Sequence, residues 1–143
     1  MLYNKQQIIE SCTNQQIVHS DSSLTTAAVY HVQDDYVQTE KLTYRAPIYV
    51  AEIHAAFNAL KYIFYHHKNN PSDDTGYQLY TDNCIVYFLL NRGKGRLKQI
   101  NNYTLIQILV FYTLIVQFIN ISVYFIPSKE NLADAFTRLD SLG

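Results

Sequence analysis

The hydrophobic pattern of this chain changes from a strand-like to a helical period near Val50, and that change most restricts the possible folds. From Gln16 to Thr43, β-branched and aromatic residues are interrupted twice by polar clusters, a pattern typical of three short strands joined as a meander. From Val50 onward, apolar residues recur at helical spacing for about five turns. The chain therefore begins as a small sheet and continues into a helix that must cover it.

The remaining segments alternate between strand and helix patterns. A buried strand is predicted over Tyr77–Thr81, a helix from the Asp82-Asn83 cap to about Leu90, an apolar helix from about Asn101, a strand over Ile121–Ile126 and a short helix over Asn131–Leu139. The predicted order is βββ-α-β-α-α-β-α. Short loops make the first three strands antiparallel, whereas strands reached through helices lie parallel to the first. We therefore expect an α/β fold with a mixed five-stranded sheet flanked by helices.

Length and composition fit one domain. The chain has 143 residues, of which 48% are hydrophobic and 16% charged, enough for a sizeable core and unlike a disordered segment. We predict a domain over residues 16–139, preceded by residues 1–15 as an extension or the end of a connection segment, and followed by a tail at 140–143. The net charge of −1 means that any nucleic-acid partner must be held by a local basic patch.

Several kinds of site and location are disfavoured. Cys12 and Cys84 lack metal-type spacing, so neither a disulfide framework nor a zinc site is expected, and the five histidines show no ligand spacing. The N-terminus lacks the pattern of a signal peptide, which favours an intracellular protein. The apolar run Thr104–Ile119 is shorter than the roughly 20 residues that a bilayer requires. It predicts a buried core helix and no membrane partner.

Four acidic residues occupy unusual positions. Asp21 lies within the first strand, Glu52 opens the first long helix, Asp82 follows the strand before the second helix, and Asp134 lies between apolar neighbours near the end. Taken singly, Glu52 and Asp82 could be charges that stabilise helix N-termini, and Asp134 could be a solvated helix residue. Asp21 is harder to explain in this way, because acids are depleted in strands.

If these four carboxylates converge, they require cations to remain ionised together. Mg²⁺ is the expected occupant, because it prefers oxygen ligands and is bound in proteins by a small number of carboxylates. Two such ions about 4 Å apart would suit in-line hydrolysis of a phosphodiester.

These residues resemble a known family. The element order, the Ala-Glu at 51–52, the Thr-Asp-Asn at 81–83 and the segment IPSKENLADAFTR at 126–138 resemble the ribonuclease H domain of a reverse-transcribing element. Domains that follow reverse transcriptase in LTR retrotransposons and hepadnavirus-like polymerases are most similar. The resemblance covers about Gln16 to Arg138, and its last motif is the most specific.

The resemblance implies a ribonuclease H-like fold and hydrolysis of the RNA strand of RNA–DNA hybrids during reverse transcription. It implies a Mg²⁺-binding tetrad of Asp21, Glu52, Asp82 and Asp134, with two ions and Mn²⁺ as a possible substitute. Asp21 and Asp82 would contact both metals or the nucleophile most directly, Glu52 would lie near the scissile phosphate, and Asp134 would hold the second ion. It further implies an adjacent reverse transcriptase domain and action in a cytoplasmic particle or the nucleus.

The sequence departs from cellular ribonucleases H at two places. They have a Gly-rich turn after the first acid and a histidine before the last, whereas here residues 22–26 contain no glycine and 127–133 no histidine. The missing histidine bears on the turnover rate and not on the reaction, because that residue aids product release or proton transfer.

Two groups of residues are candidates for holding the hybrid. Arg92, Lys94, Arg96 and Lys98 provide four of the 11 positive charges, and form either a solvated loop or a phosphate-contacting protrusion. Polar residues beside the acids are candidate contacts to RNA 2′-hydroxyls, namely Ser22, Ser23 and Asn83.

Two other functions remain open. One is a non-catalytic module of the same fold that serves as a connection or docking domain for a reverse transcriptase or a host partner. The other is a DNA-directed nuclease of the integrase or resolvase kind, which the antiparallel meander and the Ala-Asp ending fit poorly. The complete set of four acids argues against the first, because disarmed copies usually lose at least one.

Overall fold

A computed structural model of the chain describes residues 12–43, 47–92 and 103–141, with side chains to residue 138. Its strands are β1 (Asn14–Ser22), β2 (Thr26–His31), β3 (Tyr36–Lys41), β4 (Thr75–Thr81) and β5 (Asn120–Phe125). Its helices are α1 (Ile48–Asn69), α2 (Cys84–Arg92) and α3 (Tyr103–Ile115). Two 3₁₀ helices follow β5, at Ser128–Glu130 and Asp134–Ser141.

The strands form one mixed sheet in the order β3-β2-β1-β4-β5. The β1–β2 and β2–β3 pairs are antiparallel, whereas β4 lies parallel to both β1 and β5. The predicted sheet is thus confirmed, because short loops join the first three strands and helices precede the last two. β1 lies at the centre, paired on both sides.

The core lies between the sheet and α1. Val18 and Leu79 from the central strands are fully buried, as are Ile53 and Leu60 from the helix. Small side chains at 51, 55, 56 and 59, all alanine and at most 3% exposed, let the first half of α1 approach the sheet closely. This close approach places the start of the helix beside the ends of the central strands.

Some boundaries differ from those predicted. β1 begins at Asn14 and α1 at Ile48, each two residues earlier than expected, and β3 ends at Lys41 instead of Tyr44. The final helix, predicted over Asn131–Leu139, is a 3₁₀ helix that begins at Asp134, and a separate 3₁₀ turn at Ser128–Glu130 precedes it. The division into 1–15, 16–139 and 140–143 stays a prediction, with residues 1–11 and 142–143 outside the described ranges.

The predicted buried core helix, α3, packs into the core with one face only. Ile108, Leu109 and Tyr112 are buried, but Val110 and Leu114 on the other side are 46% and 55% exposed. The helix is apolar all round, so its sequence carried no signal for which face packs against α1. In the described part of the chain, no helix combines the length and apolar character needed to cross a bilayer.

Candidate functional site

Two of the predicted acids are brought together by the parallel pairing of β1 and β4. Ser20 pairs with Thr81 across these strands, so the residues that follow, Asp21 and Asp82, lie side by side at the carboxyl ends of these two central strands. Asp21 is only 4% exposed although it is acidic. The carboxyl ends of parallel strands are where ligands bind in open α/β sheets.

Glu52 approaches the same point from α1. The helix begins at Ile48, so Glu52 lies in its second turn, and no acid occupies the first turn. A role as a helix N-terminal charge therefore does not explain this residue, since that effect falls off beyond the first turn. Glu52 is 8% exposed, and one carboxylate oxygen each from Asp21, Glu52 and Asp82 lie within 4.8 Å of one another.

Asp134 joins the group from the opposite end of the chain. It is the first residue of the second 3₁₀ helix, and it shares a hydrogen bond with Asp21 that raises the pKa of that carboxyl. Its own carboxylate also lies 3.3 Å from the guanidinium of Arg138. The structure thus places all four predicted acids in one neighbourhood, with Asp134 just outside the three that could share one ion.

Burial and mutual repulsion raise the pKa values of Asp21, Glu52 and Asp82. The pKa of Asp21 rises to about 7, first because of burial and then because of the charge on Asp82. The pKa of Glu52 rises to about 9 for the same reasons, with Asp21 the larger of the two neighbouring charges. Burial also raises the pKa of Asp82, opposed by hydrogen bonds from Ser128 and Asn131 to its charged form. Without a cation, the group therefore retains protons at neutral pH.

This donor set fits hard divalent cations. Every candidate ligand atom is a carboxylate oxygen, which suits Mg²⁺ and Mn²⁺ better than soft metals. Crowded carboxylates with raised pKa values are also the arrangement that a positive ion relieves. Asp21, Glu52 and Asp82 could hold a metal, with Asp134 adjacent.

Two residues that support the site were not singled out from the sequence. The buried amide of Asn131 donates from Nδ2 to the Ser20 carbonyl (2.9 Å), and its Oδ1 accepts from the Ala133 backbone N–H (3.0 Å). His19, two residues before Asp21 on β1, accepts at Nδ1 from the Leu132 backbone N–H (3.1 Å). These bonds attach the loop that carries Asp134 to the strand that carries Asp21. For Asn131, the sequence signal was its position directly after the Ser-Lys-Glu turn at 128–130.

We expect Asn131→Ala to lower metal-dependent activity, because it removes the hydrogen bonds that attach the loop carrying Asp134 to β1 and the one that favours the charged form of Asp82. The alanine variant should also lose about 1–3 kcal/mol of unfolding free energy, since it leaves buried backbone groups unpaired. Urea unfolding and the concentration of Mg²⁺ giving half-maximal activity measure the two effects. An alanine variant with unchanged Mg²⁺ dependence would show that Asn131 does not position Asp134.

Three of the predicted nucleic-acid contacts, the polar residues beside the acids, form hydrogen bonds within the chain. The Ser22 hydroxyl donates to the Ser23 carbonyl at 2.7 Å, and the Ser23 hydroxyl donates to the Thr137 carbonyl at 3.0 Å. Asn83 caps α2, its Oδ1 accepting from the Val86 N–H at 3.0 Å. Any contact from these serines to a 2′-hydroxyl must therefore use their oxygen as acceptor. All three residues remain predictions as hybrid contacts.

The basic cluster is described only at its first member. Arg92 is exposed at the end of α2, with its guanidinium 5.1 Å from the centre of the Phe88 ring. Lys94, Arg96 and Lys98 lie outside the described residues. The interpretation of this cluster as a phosphate-contacting protrusion thus stays a prediction.

Solved structures share this architecture. The ribonuclease H1 of the halophilic archaeon Halobacterium salinarum NRC-1 superposes with a TM-score of 0.66 at 18% identity, covering 90% of this chain and 99% of that chain. LC11 ribonuclease H1, solved in complex with an RNA/DNA hybrid, gives a TM-score of 0.64 at 14% identity over 84% of this chain and 91% of that one. The chain has a ribonuclease H-like fold.

The same ribonuclease H-like fold occurs within a larger viral protein. The foamy viral protease-reverse transcriptase, solved in complex with an RNA/DNA hybrid, gives a TM-score of 0.58 at 16% identity. The match covers 92% of this chain and 19% of that one. No protein-family model and no curated protein matches the sequence.

Proposed function

We propose that this chain is a divalent-metal-dependent endonuclease that hydrolyses the RNA strand of RNA–DNA hybrids. The convergence of Asp21, Glu52 and Asp82 within 4.8 Å carries the proposal. Three buried or half-buried acids from two strands and a helix cost stability unless they serve a cation. The ribonuclease H-like fold and the hybrid-bound structures that share it support the choice of substrate.

Asp21, Glu52, Asp82 and Asp134 would hold two Mg²⁺ ions, for which Mn²⁺ can substitute. When bound, such ions activate a water and stabilise the leaving oxygen of a phosphodiester. Other parts of the chain position these carboxylates for metal binding. A strand paired on both sides positions Asp21, and the hydrogen bonds from Ser128 and Asn131 to Asp82 favour its charged form.

The proposal extends to reverse transcription. The segment at 126–138 resembles domains that follow a reverse transcriptase, and the foamy viral protein contains this fold as about a fifth of its length. An adjacent polymerase would supply affinity for the hybrid, because this chain carries a net charge of −1. We therefore infer an intracellular role beside a reverse transcriptase, in a cytoplasmic particle or the nucleus.

A cleavage assay on three duplexes of one sequence tests the proposal. With Mg²⁺ or Mn²⁺, we expect cuts in the RNA strand of the hybrid and none in double-stranded RNA or DNA. Chelation should abolish the activity. Cleavage of double-stranded DNA would favour the integrase-like alternative. No metal-dependent cleavage, together with tight binding to a polymerase, would favour the docking module.

A further inference from the structure

A second cluster of potential metal ligands lies at the other end of α1. His31 ends β2, Asp34 lies in the turn before β3, and His66 lies in the last turn of the helix. Each offers one ligand atom, and the three atoms all lie within 4.8 Å of one another. The sequence showed no ligand spacing because three separate elements supply the residues.

The distances suit a tetrahedral ion. Asp34 Oδ2 lies 3.3 Å from His31 Nδ1 and 3.5 Å from His66 Nε2. An ion with bonds of about 2.0–2.1 Å in tetrahedral geometry separates its ligand atoms by about 3.3–3.4 Å. The ligand atoms of the two histidines lie within 4.8 Å of each other.

The imidazole nitrogens that face away from the cluster also have hydrogen-bond partners. His31 Nε2 lies 2.6 Å from Gln16 Oε1, and the Gln16 amide is oriented by donating from Nε2 to Asn14 Oδ1 at 2.6 Å. An amide oxygen only accepts, so the proton of His31 is on Nε2 and Nδ1 presents its lone pair to the cluster. Such outer partners typically fix the tautomer and orientation of a metal-binding histidine.

His66 is arranged in a similar way. Its Nδ1 lies 2.7 Å from the hydroxyl of Tyr77, whose oxygen can accept a hydrogen bond from Nδ1–H, which leaves the Nε2 lone pair facing Asp34. The two imidazoles therefore approach one carboxylate oxygen with their other nitrogens occupied.

Burial and access are compatible with binding. The side chain of His31 is fully buried and that of Asp34 is 54% exposed, so an ion could enter from the Asp34 side. Burial lowers the pKa of His31, which favours the neutral imidazole that metals bind. The Tyr62 hydroxyl lies 2.7 Å from His31 Nδ1. It must turn away from that nitrogen or become an oxygen ligand.

We propose that His31, Asp34 and His66 form a binding site for a borderline divalent ion of the Zn²⁺ class. Two imidazoles and one carboxylate suit Zn²⁺, Co²⁺ or Ni²⁺ better than Mg²⁺. This proposal departs from the expectation of no zinc site, which rested on cysteine and histidine spacing alone. The ion would fasten the end of α1 to the β2–β3 turn.

The site is separate from the carboxylate group. Glu52 and His66 lie 14 residues apart on α1, a distance of about 21 Å along the helix axis. The two sites also differ in donor type, oxygen alone at one and mainly nitrogen at the other. Failure of the endonuclease proposal would leave this one standing, and the reverse also holds.

Titration of the whole chain with Zn²⁺, in excess Mg²⁺, tests the proposal. The ring ¹H–¹⁵N signals of His31 and His66 should shift at one equivalent, and Co²⁺ should give the visible absorption of a tetrahedral complex. Asp34→Asn and His66→Gln should each weaken Zn²⁺ binding at least about 100-fold, since even outer partners contribute about 10- to 100-fold. Zn²⁺ should raise the Tm of the unmodified chain by about 5 °C or more. It should leave the Tm of both variants unchanged.

His54→Gln is the matched control. It removes a histidine of the same helix whose Nε2 contacts the Glu40 carboxylate at 2.7 Å but which belongs to no three-ligand group in the described residues. This variant should bind Zn²⁺ as the unmodified chain does. Asp34 is exposed, so its variant is expected to fold, which circular dichroism checks. Equal affinity in all four proteins, or no shift of the His31 and His66 signals, would overturn the proposal.

Discussion

Asp82→Asn is expected to reduce metal-dependent cleavage of an RNA–DNA hybrid by about 10³-fold or more, a loss of about 4 kcal/mol in transition-state stabilisation. The amide has nearly the shape of the carboxylate but lacks the charge that a divalent ion requires. Asp82 also lies next to Asp21 across the central parallel pair, where Ser20 pairs with Thr81. Single-turnover cleavage at saturating Mg²⁺ measures the effect.

Asp73→Asn is the control for this variant. Asp73 is exposed in the loop before β4, so the same chemical change there should leave cleavage unchanged. Far-ultraviolet circular dichroism should show an intact fold in both proteins. Activity retained in Asp82→Asn would contradict the assignment of the carboxylate group as the catalytic centre.

The second large effect concerns stability without metal. The pKa values of Asp21 and Glu52 rise from 3.8 and 4.5 to about 7 and about 9 in the folded chain. The folded state then binds more protons than the unfolded state between these values, so the free energy of unfolding falls as pH rises through this range. With chelator present, we expect stability to decrease from about pH 4 to about pH 9, and Mg²⁺ to restore it at pH 8.

Asp21→Asn gives the sharpest form of this test. At pH 8 without metal, the variant should be more stable than the unmodified chain by on the order of 2–4 kcal/mol, because a buried charge is removed. At pH 4, where the unmodified acid is protonated, the difference should vanish. Urea unfolding at both pH values measures it, with Asp73→Asn expected to show no comparable gain. A variant that is less stable at pH 8 would mean that neither burial nor the neighbouring charges destabilise the ionised Asp21 carboxylate in the folded chain.

Much of the fold was predictable because local patterns and connection lengths agree. The change of period at Val50, the short loops between the first strands and the helices before the last two specify a mixed sheet. The face of α3 that packs was not predictable, since apolar residues surround that helix. The start of α1 was misplaced by two residues, and this changed how Glu52 is interpreted.

The acids of the site were predictable because each lay where an acid is unusual. Their supports were not. Asn131 and His19 act through backbone groups of residues far away in sequence, and no periodicity reports such bonds. His31, Asp34 and His66 were equally hidden, because only the packing of the α1 end against the β2–β3 turn brings them together.

The parallel pairing of β1 with β4 also has a kinetic consequence. Its partners Ser20 and Thr81 are separated by 61 residues, so chain closure must precede any contact between Asp21 and Asp82, and such non-local pairings form slowly. No local fragment can assemble the carboxylate group. We therefore expect a divalent ion at that group to slow unfolding, because its ligands are brought together only by the folded chain.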